Sequence, residues 1–522
     1  MYLFDHQQRK VTFREFNEDV NKLSKSLLND LRLQRGDAIA IWSANCYEWL
    51  VAQHAAFRSG LIACALSPLY KSIELDFALK KAKVKALFMP GIESKQSFMN
   101  DFHAVLEKVD LVNIKKHLQH LIFIDGNEAK SAPQAMNIHT FNRLIANDGQ
   151  LDESQLDVSP DDPAALFYTS GTTGKPKAAL LSHYQMHNNI RFATEKTLQT
   201  KGPIVCPLPF FHAIAGICAS LTPLISQKSI VFSNYWFDMQ SAIKSLIQNE
   251  CTEFWGVPAI VNGLCEFALA TNTKFNSLKV IGMGGSAIHE SLIRKIKQAI
   301  PSVEEIRIGY GSTEFGIFLT FTTKEDPEEV TMNTVGQISD HVAMKLVDPE
   351  TKKIVKLGEQ GEIWAKGYCR MLCYYDDEEK TREVIDQSGW YNMGDLGILD
   401  KNGYLKIVGR TKEMIIRGGI NLFPKEIENI LNTHPSVAEA HVCGVPSEEF
   451  GEEVCAWIKL KNASEKDAIQ SEDIKKFCKD QLSYYKCPKY ILFVDSFPMT
   501  GSGKVQKFLM TEKSCELLGL KK

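Results

Sequence analysis

The residues with the clearest chemical potential lie in one short stretch, Tyr168-Thr-Ser-Gly-Thr-Thr-Gly-Lys-Pro-Lys177. Its glycines allow the backbone to come close to a ligand, and its hydroxyl and amide groups can donate hydrogen bonds beside two lysine charges. Groups of these types together are suited to wrapping a polyphosphate. The candidate phosphate-binding residues are Thr169, Ser170, Gly171, Thr172, Thr173, Gly174, Lys175 and Lys177.

The stretch is not a Walker A loop, because Lys175 is followed by proline and no four-residue spacer separates the glycines. A solvated turn is the simpler interpretation of a generic loop rich in serine and glycine. Here the flanking apolar segments AALFY and AALL predict a strand on each side. Together with the two lysines, these strands favour the phosphate-binding interpretation.

A second motif, Ile308-Gly-Tyr-Gly-Ser-Thr-Glu-Phe-Gly316, follows a predicted strand. Tyr310 is able to stack on a purine, Thr313 to bind a phosphate, and Glu314 to offer a hard oxygen ligand to Mg²⁺. Taken alone, a glycine-rich strand end with a surface glutamate explains the motif equally simply.

A third motif places Asp395 in Trp390-Tyr-Asn-Met-Gly-Asp395 and Arg410 a short distance further on. A carboxylate at a strand end suits a ribose diol, and a guanidinium adds a fixed fork of donors. The simpler interpretation is a turn-capping aspartate and an arginine in a surface ion pair, which are common and individually weak.

The fourth motif, Pro498-Met-Thr-Gly-Ser-Gly-Lys504, lies near the C-terminus. Its glycines predict a loop that holds one ammonium away from the body of the protein. Such a lysine can pair with a carboxylate and a phosphate oxygen at once, and so neutralise charge while they react. A flexible solvated tail is an equally good interpretation of this motif alone.

Alternating helix and strand signals predict α/β layers that would position these motifs. The periodicity predicts a helix over Phe13–Leu31 and a buried strand over Ala38–Trp42. Val280–Gly282 and Glu305–Gly309 are further predicted strands that end at glycine, where open α/β sheets bind ligands. Near residue 410 the pattern of predicted helices and strands changes, and the residues after it predict a separate α+β domain.

Composition excludes several classes of protein. Sixty basic and sixty-three acidic residues among 522 give a net charge of −3, which offers no electrostatic footprint for nucleic acid. Thirteen scattered cysteines without a CxxC pair argue against a disulfide framework and indicate a reducing compartment. The sequence has no membrane span, and neither end matches a signal peptide, presequence or peroxisomal signal.

Taken together, the order and spacing of the four motifs resemble the adenylate-forming family of acyl-CoA synthetases, beetle luciferases, plant coumarate ligases and peptide-synthetase adenylation domains. The resemblance covers nearly the whole chain and is strongest to the medium-chain fatty acyl-CoA synthetases of animal mitochondria. Ala178 departs from the glycine that the family usually has. Further matching stretches are Pro209-Phe-Phe-His212, Gly282-Met-Gly-Gly-Ser-Ala287, Ile416-Arg-Gly-Gly-Ile-Asn421 and Tyr485-Lys-Cys-Pro488.

The resemblance implies an α/β fold with a large multi-subdomain N-terminal AMP-binding domain over residues 1–409. A hinge over residues 410–412 would connect it to a small mobile α+β lid over residues 413–522. Trp255-Gly-Val-Pro258 would line an acyl tunnel, although an ordinary core position explains it equally well.

The resemblance also implies roles for individual residues. The loop from Thr169 to Lys177 would hold the β- and γ-phosphates of ATP, Glu314 would bind Mg²⁺, and Lys504 would be the catalytic lysine. His212 would lie beside the acyl carboxylate or the thiol entrance. The other implied contacts are Gly285, Ser286, Ala287, Tyr310 and Gly311 to adenine, Thr313 to the α-phosphate, Asp395 and Arg410 to ribose, and Lys412 as hinge pivot.

The implied activity has two steps: ATP activates a carboxylic acid, expected to be a medium-chain fatty acid, and coenzyme A then takes the acyl group. Alternatives are a coumarate-type ligase, a long-chain synthetase, a luciferase-like enzyme, or a non-catalytic nucleotide-binding scaffold. The resemblance implies a mitochondrial location. The absence of a presequence implies a cytoplasmic one if the chain is complete.

Overall fold

A computed structural model describes most of the 522-residue chain. The described residues are 1–97, 101–125, 136–146, 156–169, 176–197, 200–286, 288, 290–417, 420–447, 450–461, 469–482, 484–500 and 504–520. The side chains of residues 111, 112, 412, 420, 421 and 484 are outside this description.

The N-terminal part contains two large sheets, each built around parallel strands. The first has the order β16-β15-β14-β13-β12-β10-β11-β1-β2, and the second has the order β19-β9-β8-β4-β3-β5-β6-β7. The first comprises β1 (Tyr2–Phe4), β2 (Arg9–Val11), β10 (Ile204–Val205), β11 (Ile230–Phe232), β12 (Glu253–Gly256), β13 (Val280–Gly284), β14 (Glu305–Tyr310), β15 (Thr320–Phe321) and β16 (Gln337–Ile338). The second comprises β3 (Ala38–Trp42), β4 (Ile62–Leu66), β5 (Ala86–Met89), β6 (His120–Phe123), β7 (Asn137–Thr140), β8 (Pro163–Thr169), β9 (Lys177–Ser182) and β19 (Cys373–Tyr374).

Two smaller sheets follow toward the C-terminus. An antiparallel sheet of β17 (Val342–Val347), β18 (Gln360–Gly367), β20 (Tyr391–Leu399) and β21 (Leu405–Arg410) completes the N-terminal part. The last sheet comprises β22 (Ile415–Arg417), β23 (Ile420–Leu422), β24 (Val437–Ser447), β25 (Gly451–Leu460) and β26 (Tyr490–Phe493).

Helices cover these sheets. In the N-terminal part they are α1 (Phe13–Lys25), α2 (Tyr47–Arg58), α3 (Ser72–Lys81), α4 (Phe102–Glu107), α5 (Leu111–Ile114), α6 (Phe141–Ile145), α7 (His183–Thr197), α8 (Ser220–Ser226), α9 (Met239–Gln248), α10 (Pro258–Thr271), α11 (Glu290–Ala299), α12 (Glu328–Asn333) and α13 (Glu378–Val384). The C-terminal sheet is covered by α14 (Pro424–Leu431), α15 (Ser471–Lys479) and α16 (Lys507–Leu518).

The apolar pattern of the sequence explains the layers. All five residues of β3 are buried, as expected for a parallel strand with both faces covered. The predicted helix over Phe13–Leu31 is shorter than expected, because α1 ends at Lys25 and a π-helical turn over Ser26–Asp30 follows. A capping box between Thr12 and Glu15 fixes the start of α1.

The C-terminal part has a hydrophobic core of its own, in which Ile415 and Leu422 pack with side chains of α14, β24 and β25. The last strand of the preceding sheet ends at Arg410, and the C-terminal sheet begins at Ile415. The fold prediction is therefore confirmed: the chain is α/β, with a large N-terminal domain and a smaller α+β C-terminal domain.

All thirteen cysteines are free, and all but Cys373 and Cys487 are buried. Free buried cysteines behave as small apolar core residues, as the sequence predicted. Among the described residues, no helix has both the length and the hydropathy needed to cross a membrane.

Candidate active site

The ends of two neighbouring parallel strands form the centre of the candidate site. β13 and β14 pair in parallel, with Gly284 opposite Gly309. The turns that follow these strands carry Gly285 and Thr313, so two motifs separated in sequence reach the same edge of the sheet. Ligands of open α/β sheets bind at this kind of edge.

The predicted phosphate-binding motif, Tyr168–Lys177, begins on β8 and ends on β9 beside this edge. β8 and β9 pair in antiparallel register, and their last pair is Thr169 opposite Lys177. The sequence predicted a strand on each side of the loop, and both strands are present. The candidates at its tip lie outside the described residues: Ser170, Gly171, Thr172, Thr173, Gly174 and Lys175.

Glu314 connects the two motifs. It lies in a short 3₁₀ turn over Thr313–Phe315, directly after the β14 end. Its Oε1 accepts hydrogen bonds from the Thr169 hydroxyl at 2.9 Å and from the Tyr374 hydroxyl at 3.0 Å. The Lys177 ammonium lies 4.8 Å from the centre of the Tyr374 ring, within cation–π distance. Two hydroxyls from β8 and β19 therefore bind one carboxylate, and a lysine from β9 lies beside them.

Asp395 occupies the middle of β20, whereas the sequence predicted a strand end. On β18, Glu362 and Trp364 pair with Leu396 and Asn392 of β20. Between these two pairs β20 has two more residues than β18, which is a β-bulge. Gly394, at φ +73°, lies inside this bulge, and its missing side chain makes the left-handed conformation accessible. Bulges re-aim side chains beside functional sites, which accounts for the position of Asp395.

Asp395, whose side chain is partly buried, has two polar partners. The Tyr310 hydroxyl donates to Asp395 Oδ2 at 2.7 Å, and Arg410 Nε lies 3.4 Å from Asp395 Oδ1. Arg410 is also the cross-strand partner of Asp395 on β21. The third motif and the Tyr310 of the second motif are therefore in contact.

These three groups influence each other's titration. Burial raises the pKa of Asp395, although the charge of Arg410 and the hydrogen bond from Tyr310 oppose the rise. Burial and the Asp395 carboxylate raise the pKa of Tyr310 well above its usual value. The Asp395 carboxylate raises the pKa of Arg410, so this guanidinium stays charged.

Lys504 reaches the site from the C-terminal domain. It lines one cavity with Gly285 and Thr313. Its Cε lies 4.0 Å from the point where a side chain on Gly285 would begin. Gly285 has φ +83° and no side chain, so the lysine stem can lie across the backbone there. The backbone N–H of Lys504 donates to the Thr500 hydroxyl at 3.1 Å, which closes its loop on itself.

The surroundings of Lys504 lower its pKa. The largest cause is removal from bulk water inside the cleft, and the charge of Arg410 acts in the same direction, while Glu314 and Asp395 oppose it. The side chain itself remains accessible to solvent in the open cavity. The lysine is therefore near two carboxylates and available to a ligand.

His212 lies near the same ammonium. Burial, followed by the charge of Lys504, lowers the pKa of His212 to about 4, so the imidazole is neutral near pH 7. Within the described part of the chain, its buried Nε2 has no hydrogen-bond partner. A neutral ring with an unpaired nitrogen can accept or donate one hydrogen bond to a ligand.

Some of the remaining candidate site residues lie among the described residues, and others do not. Gly285 and Gly311 line the cavity, and Ser286 is exposed beside it. Ala287 lies outside the described residues. Lys412 belongs to a short turn over Thr411–Glu413, but its side chain is outside the description.

An apolar groove extends from Lys504 into the sheet, in a cavity of about 150 Å³. Its lining includes Trp255, which the sequence suggested, together with Ile214 and Phe318. Two further residues were missed: Tyr374, which holds Glu314, and Arg307, which lines the cavity. Neither belongs to a motif with a chemical signal of its own, since Tyr374 ends the two-residue strand β19 and Arg307 is inside β14.

Comparison with known proteins identifies the family. Residues 1–375 match the "AMP-binding enzyme" family model, and residues 426–504 match the "AMP-binding enzyme C-terminal domain" model. The chain is 36% identical to the mitochondrial medium-chain acyl-CoA ligase ACSF2 of Danio rerio, over 98% of this chain and 85% of that protein. It is 32% identical to the putative acyl-CoA synthetase YngI of Bacillus subtilis, over 98% and 93%.

Solved structures agree with this comparison. The crystal structure of ATP-bound MatB from Rhodopseudomonas palustris superimposes with a TM-score of 0.84 at 26% identity, covering 99% of this chain and 96% of that chain. A two-domain α/β fold with polar groups around a cleft and an apolar groove beneath them defines an enzyme that forms acyl-adenylates.

The chain belongs to the AMP-binding enzyme family and is an AMP-forming acyl-CoA synthetase. Its substrates are a carboxylic acid, ATP and coenzyme A. The acid first becomes an acyl-adenylate with release of pyrophosphate, and coenzyme A then takes the acyl group with release of AMP.

Proposed function

We propose that this acyl-CoA synthetase acts on medium-chain fatty acids and that Lys504 is the catalytic lysine of the first half-reaction. The observation that carries the proposal is the position of Lys504, which lines the same cavity as Gly285 and Thr313. A residue of the small domain thus faces the edge of the large domain's sheet where a nucleotide would bind.

In the first half-reaction an oxygen of the fatty carboxylate attacks the α-phosphorus of ATP. A new P–O bond forms while the bond to the bridging oxygen breaks, and pyrophosphate leaves with that electron pair. The Lys504 ammonium would donate to the entering carboxylate and to an α-phosphate oxygen, where negative charge concentrates. Burial lowers the pKa of Lys504, and the nearby carboxylates of Glu314 and Asp395 oppose that effect and so favour the charged form.

We assign the metal site to Glu314. A bound Mg²⁺ would offset the negative charge of the phosphates. Magnesium in such enzymes usually takes one or two carboxylates together with substrate phosphates. The residues around Glu314 fit this arrangement, because the hydroxyls of Thr169 and Tyr374 both bind Oε1 and orient the carboxylate. Among the described residues no cluster of three or more metal-ligating side chains exists, so the phosphates would have to supply ligands.

The other nucleotide contacts follow from the same cleft. The loop from Thr169 to Lys177, including its tip, would hold the β- and γ-phosphates. Thr313 would contact the α-phosphate, and Asp395 with Arg410 would bind the ribose hydroxyls. Adenine would lie against Gly285, Ser286, Ala287, Tyr310 and Gly311.

The second half-reaction would need a different position of the small domain. We propose that residues 413–522 form a lid on the domain of residues 1–409, with a hinge over residues 410–412 and Lys412 as pivot. Rotation would withdraw Lys504 and present the face over 416–421. The thiol sulfur then attacks the acyl carbon, and the bond to the AMP oxygen breaks. Neutral His212 would contact the acyl carboxylate or the entering thiol.

The names of several similar relatives support a medium-chain acid, because they are called medium-chain acyl-CoA ligases.

The experiment that tests the function is an acid panel with Mg·ATP and coenzyme A. Acetate, hexanoate, octanoate, dodecanoate, palmitate and coumarate are compared for pyrophosphate release and for thioester formation. We expect the highest kcat/KM for hexanoate or octanoate. A maximum at palmitate or coumarate would overturn the medium-chain assignment, and pyrophosphate release without thioester would overturn the second half-reaction.

We also propose a mitochondrial location, because several of the similar relatives carry that word in their names. Fractionation of cells that express the native chain tests it. Recovery in the cytosol alone would contradict the assignment.

A further inference from the structure

A cluster of buried charges adjoins the acyl groove, and one of its members, Arg307, lines the cavity. It contains Lys228, Glu253, Glu305 and Arg307, whose side chains are at most 9% exposed. Buried ions of this kind are rare unless they are paired, and here every member is paired. The proposed mechanism does not use any of them.

The contacts within the cluster hold Arg307 in one position. Its Nε and Nη2 donate to the two carboxylate oxygens of Glu305 at 2.7 and 3.0 Å, and its Nη1 donates to Glu253 at 3.2 Å. Lys228 donates to the other oxygen of Glu253 at 2.8 Å. A guanidinium held by a bidentate pair and a second carboxylate cannot move without leaving buried charges unpaired.

Glu253 also fixes the facing wall of the groove. The Trp255 indole N–H lies 3.4 Å from Glu253 Oε2, the oxygen that also accepts from Arg307. Trp255 and Arg307 both line the cavity, so one buried carboxylate orients two of its lining side chains.

The strand register shows how these side chains enclose the groove. Trp255, Gly282 and Arg307 are direct neighbours on β12, β13 and β14. Registered neighbours in parallel strands point to the same face, and because Gly282 has no side chain there, the Trp255 ring lies over it, 3.1 Å from the point where a side chain would begin. Gly284 and Gly309 continue this floor toward Lys504, and the Phe318 ring covers Gly309.

The distance along this floor matches a medium-length chain. Gly285, which faces Lys504, lies three residues after Gly282 along the chain. At a rise of ~3.3 Å per residue, the two glycines are separated by roughly 10 Å. An extended alkyl group of medium length fills that distance, and it would then meet the Arg307 guanidinium.

We propose that Arg307, held by Glu253 and Glu305, is the end wall of the acyl groove and sets the longest acid that the enzyme activates. The inference rests on the proposed function and names its substrate class: straight-chain monocarboxylic acids no longer than the groove. Two cations and two anions leave the cluster without net charge, so it offers no surplus positive charge to a second carboxylate. Apolar end walls can repack around an extra methylene, whereas this one has to break buried ion pairs.

Two variants with opposite expected effects test the wall. Gly282→Ala places a methyl in the groove, 3.1 Å from the Trp255 ring, which the ring can absorb by a small shift. It should lower kcat/KM for octanoate relative to butyrate at least about tenfold, the usual effect of one methylene in a fitted pocket. The double variant Arg307→Leu with Glu305→Gln removes one charge of each sign and leaves Lys228 paired with Glu253. It should raise kcat/KM for dodecanoate relative to octanoate at least about tenfold.

The matched control is Glu304→Gln, which removes an exposed carboxylate next to Glu305 that pairs only with the surface Lys279 among the described residues. It should leave both ratios within twofold of the wild type. Should Gly282→Ala leave the octanoate-to-butyrate ratio unchanged, the groove does not follow Gly282 and the inference is wrong. If the double variant folds and keeps the wild-type dodecanoate-to-octanoate ratio, Arg307 is not the wall. If it does not fold, Gly282→Ala decides alone.

The panel also separates this inference from the function on which it rests. A wild-type enzyme that activates no acid overturns the proposed function itself. A wild-type enzyme that is active on octanoate but equally active on octanedioate overturns only the wall, because a neutral cluster should disfavour the second carboxylate by tenfold or more.

Discussion

The two ends of the cavity are built on different principles. At the proposed nucleotide end, polar side chains from distant segments of both domains lie near the cavity-lining Lys504: Thr169, Glu314, Asp395 and Arg410. At the acyl end, three neighbouring strands of one sheet supply Trp255, Gly282 and Arg307. The nucleotide end therefore depends on how the small domain is seated, whereas the acyl end is complete within the large domain.

This difference predicts how substitutions act on the two half-reactions. A change at Lys504 should affect only the step for which the small domain is seated as in this structure. A change in the acyl groove should affect both steps, because the groove would hold the acyl group in both.

The largest effect is expected for Lys504→Ala. Loss of one charge that stabilises the transition state should slow acyl-adenylate formation by about 10²-fold or more, while transfer from supplied acyl-AMP to coenzyme A stays within about threefold. Separate assays of pyrophosphate release and of thioester formation from acyl-AMP measure the two steps. Lys513→Ala, an exposed lysine on α16, is the control and should change neither. Equal loss in both steps would contradict the assignment of Lys504 to the first half-reaction alone.

Glu314→Gln should lower the rate of adenylation by roughly 10–10²-fold and weaken its dependence on Mg²⁺, since a metal ligand loses its charge. Tyr374→Phe removes only one of the two hydroxyls that hold Glu314, so about 1 kcal/mol, or roughly fivefold, is expected. Magnesium titrations of the initial rate compare the two variants. A Tyr374→Phe effect as large as that of Glu314→Gln would show that the tyrosine acts directly on the substrate.

Gly282→Ala provides the counterpart at the acyl end. With octanoate, it should slow adenylation and thioester formation by similar factors, on the order of tenfold each, because the methyl displaces the same alkyl group in both. Half-reaction assays with octanoate and octanoyl-AMP test this. A loss confined to adenylation would mean that the acyl group leaves the groove between the steps.

The pH dependence of ATP binding should reveal Asp395. Because burial raises its pKa, this carboxylate takes up a proton at a higher pH than an ordinary aspartate. The carboxylate is the form that accepts ribose hydrogen bonds, so KM for ATP should rise on acidification, by about tenfold per pH unit below that pKa. The linked stability has the opposite sign, since the raised pKa favours the folded state at acid pH and this contribution is lost as the pH rises. Asp395→Asn should abolish the pH step in KM, and a step that persists in this variant would point to another group.

The smallest effect concerns stability and His212. Burial is the main cause that lowers the pKa of His212 to about 4 in the folded protein. As the pH falls, this histidine therefore takes up a proton in the unfolded chain before it does so in the folded one. This contribution to stability is present above the ordinary histidine pKa of about 6.5 and is lost as the pH falls toward about 4. His212→Gln should reduce the fall in Tm between those values without removing it, because His6 and His54 also have lowered pKa values. An unchanged Tm profile would show that His212 is not buried in solution.

The sequence predicted which residues of the proposed nucleotide end would lie near one another, for a physical reason. Phosphate, ribose and metal contacts require particular residue types at close spacing, so Glu314 and Lys504 each belong to a short motif that can be read from the sequence; that they bind a nucleotide stays a prediction. The strands that carry these motifs were also predicted, because buried parallel strands are continuous apolar runs ending at glycine. The shift of Asp395 into the middle of β20 depends on a bulge, which composition does not reveal.

The acyl end could not be predicted in the same way. Trp255 and Arg307 are ordinary core and strand residues by themselves, and only the register of β12, β13 and β14 makes them neighbours. Their common partner Glu253 lies more than fifty residues from Arg307 in sequence. The tip of the phosphate loop is a motif prediction that lies outside the described residues.

The most direct test of the two-ended cavity is a crystal structure of the enzyme with the non-hydrolysable analogue of octanoyl-AMP, octanoyl-sulfamoyl adenosine. We expect the Lys504 ammonium within hydrogen-bond distance of the sulfamate or carbonyl oxygens. The alkyl tail should run over Gly284 and Gly282 and stop against Arg307. A tail that takes another route, or a Lys504 that lies far from the sulfamate while the small domain is seated as here, would contradict the account.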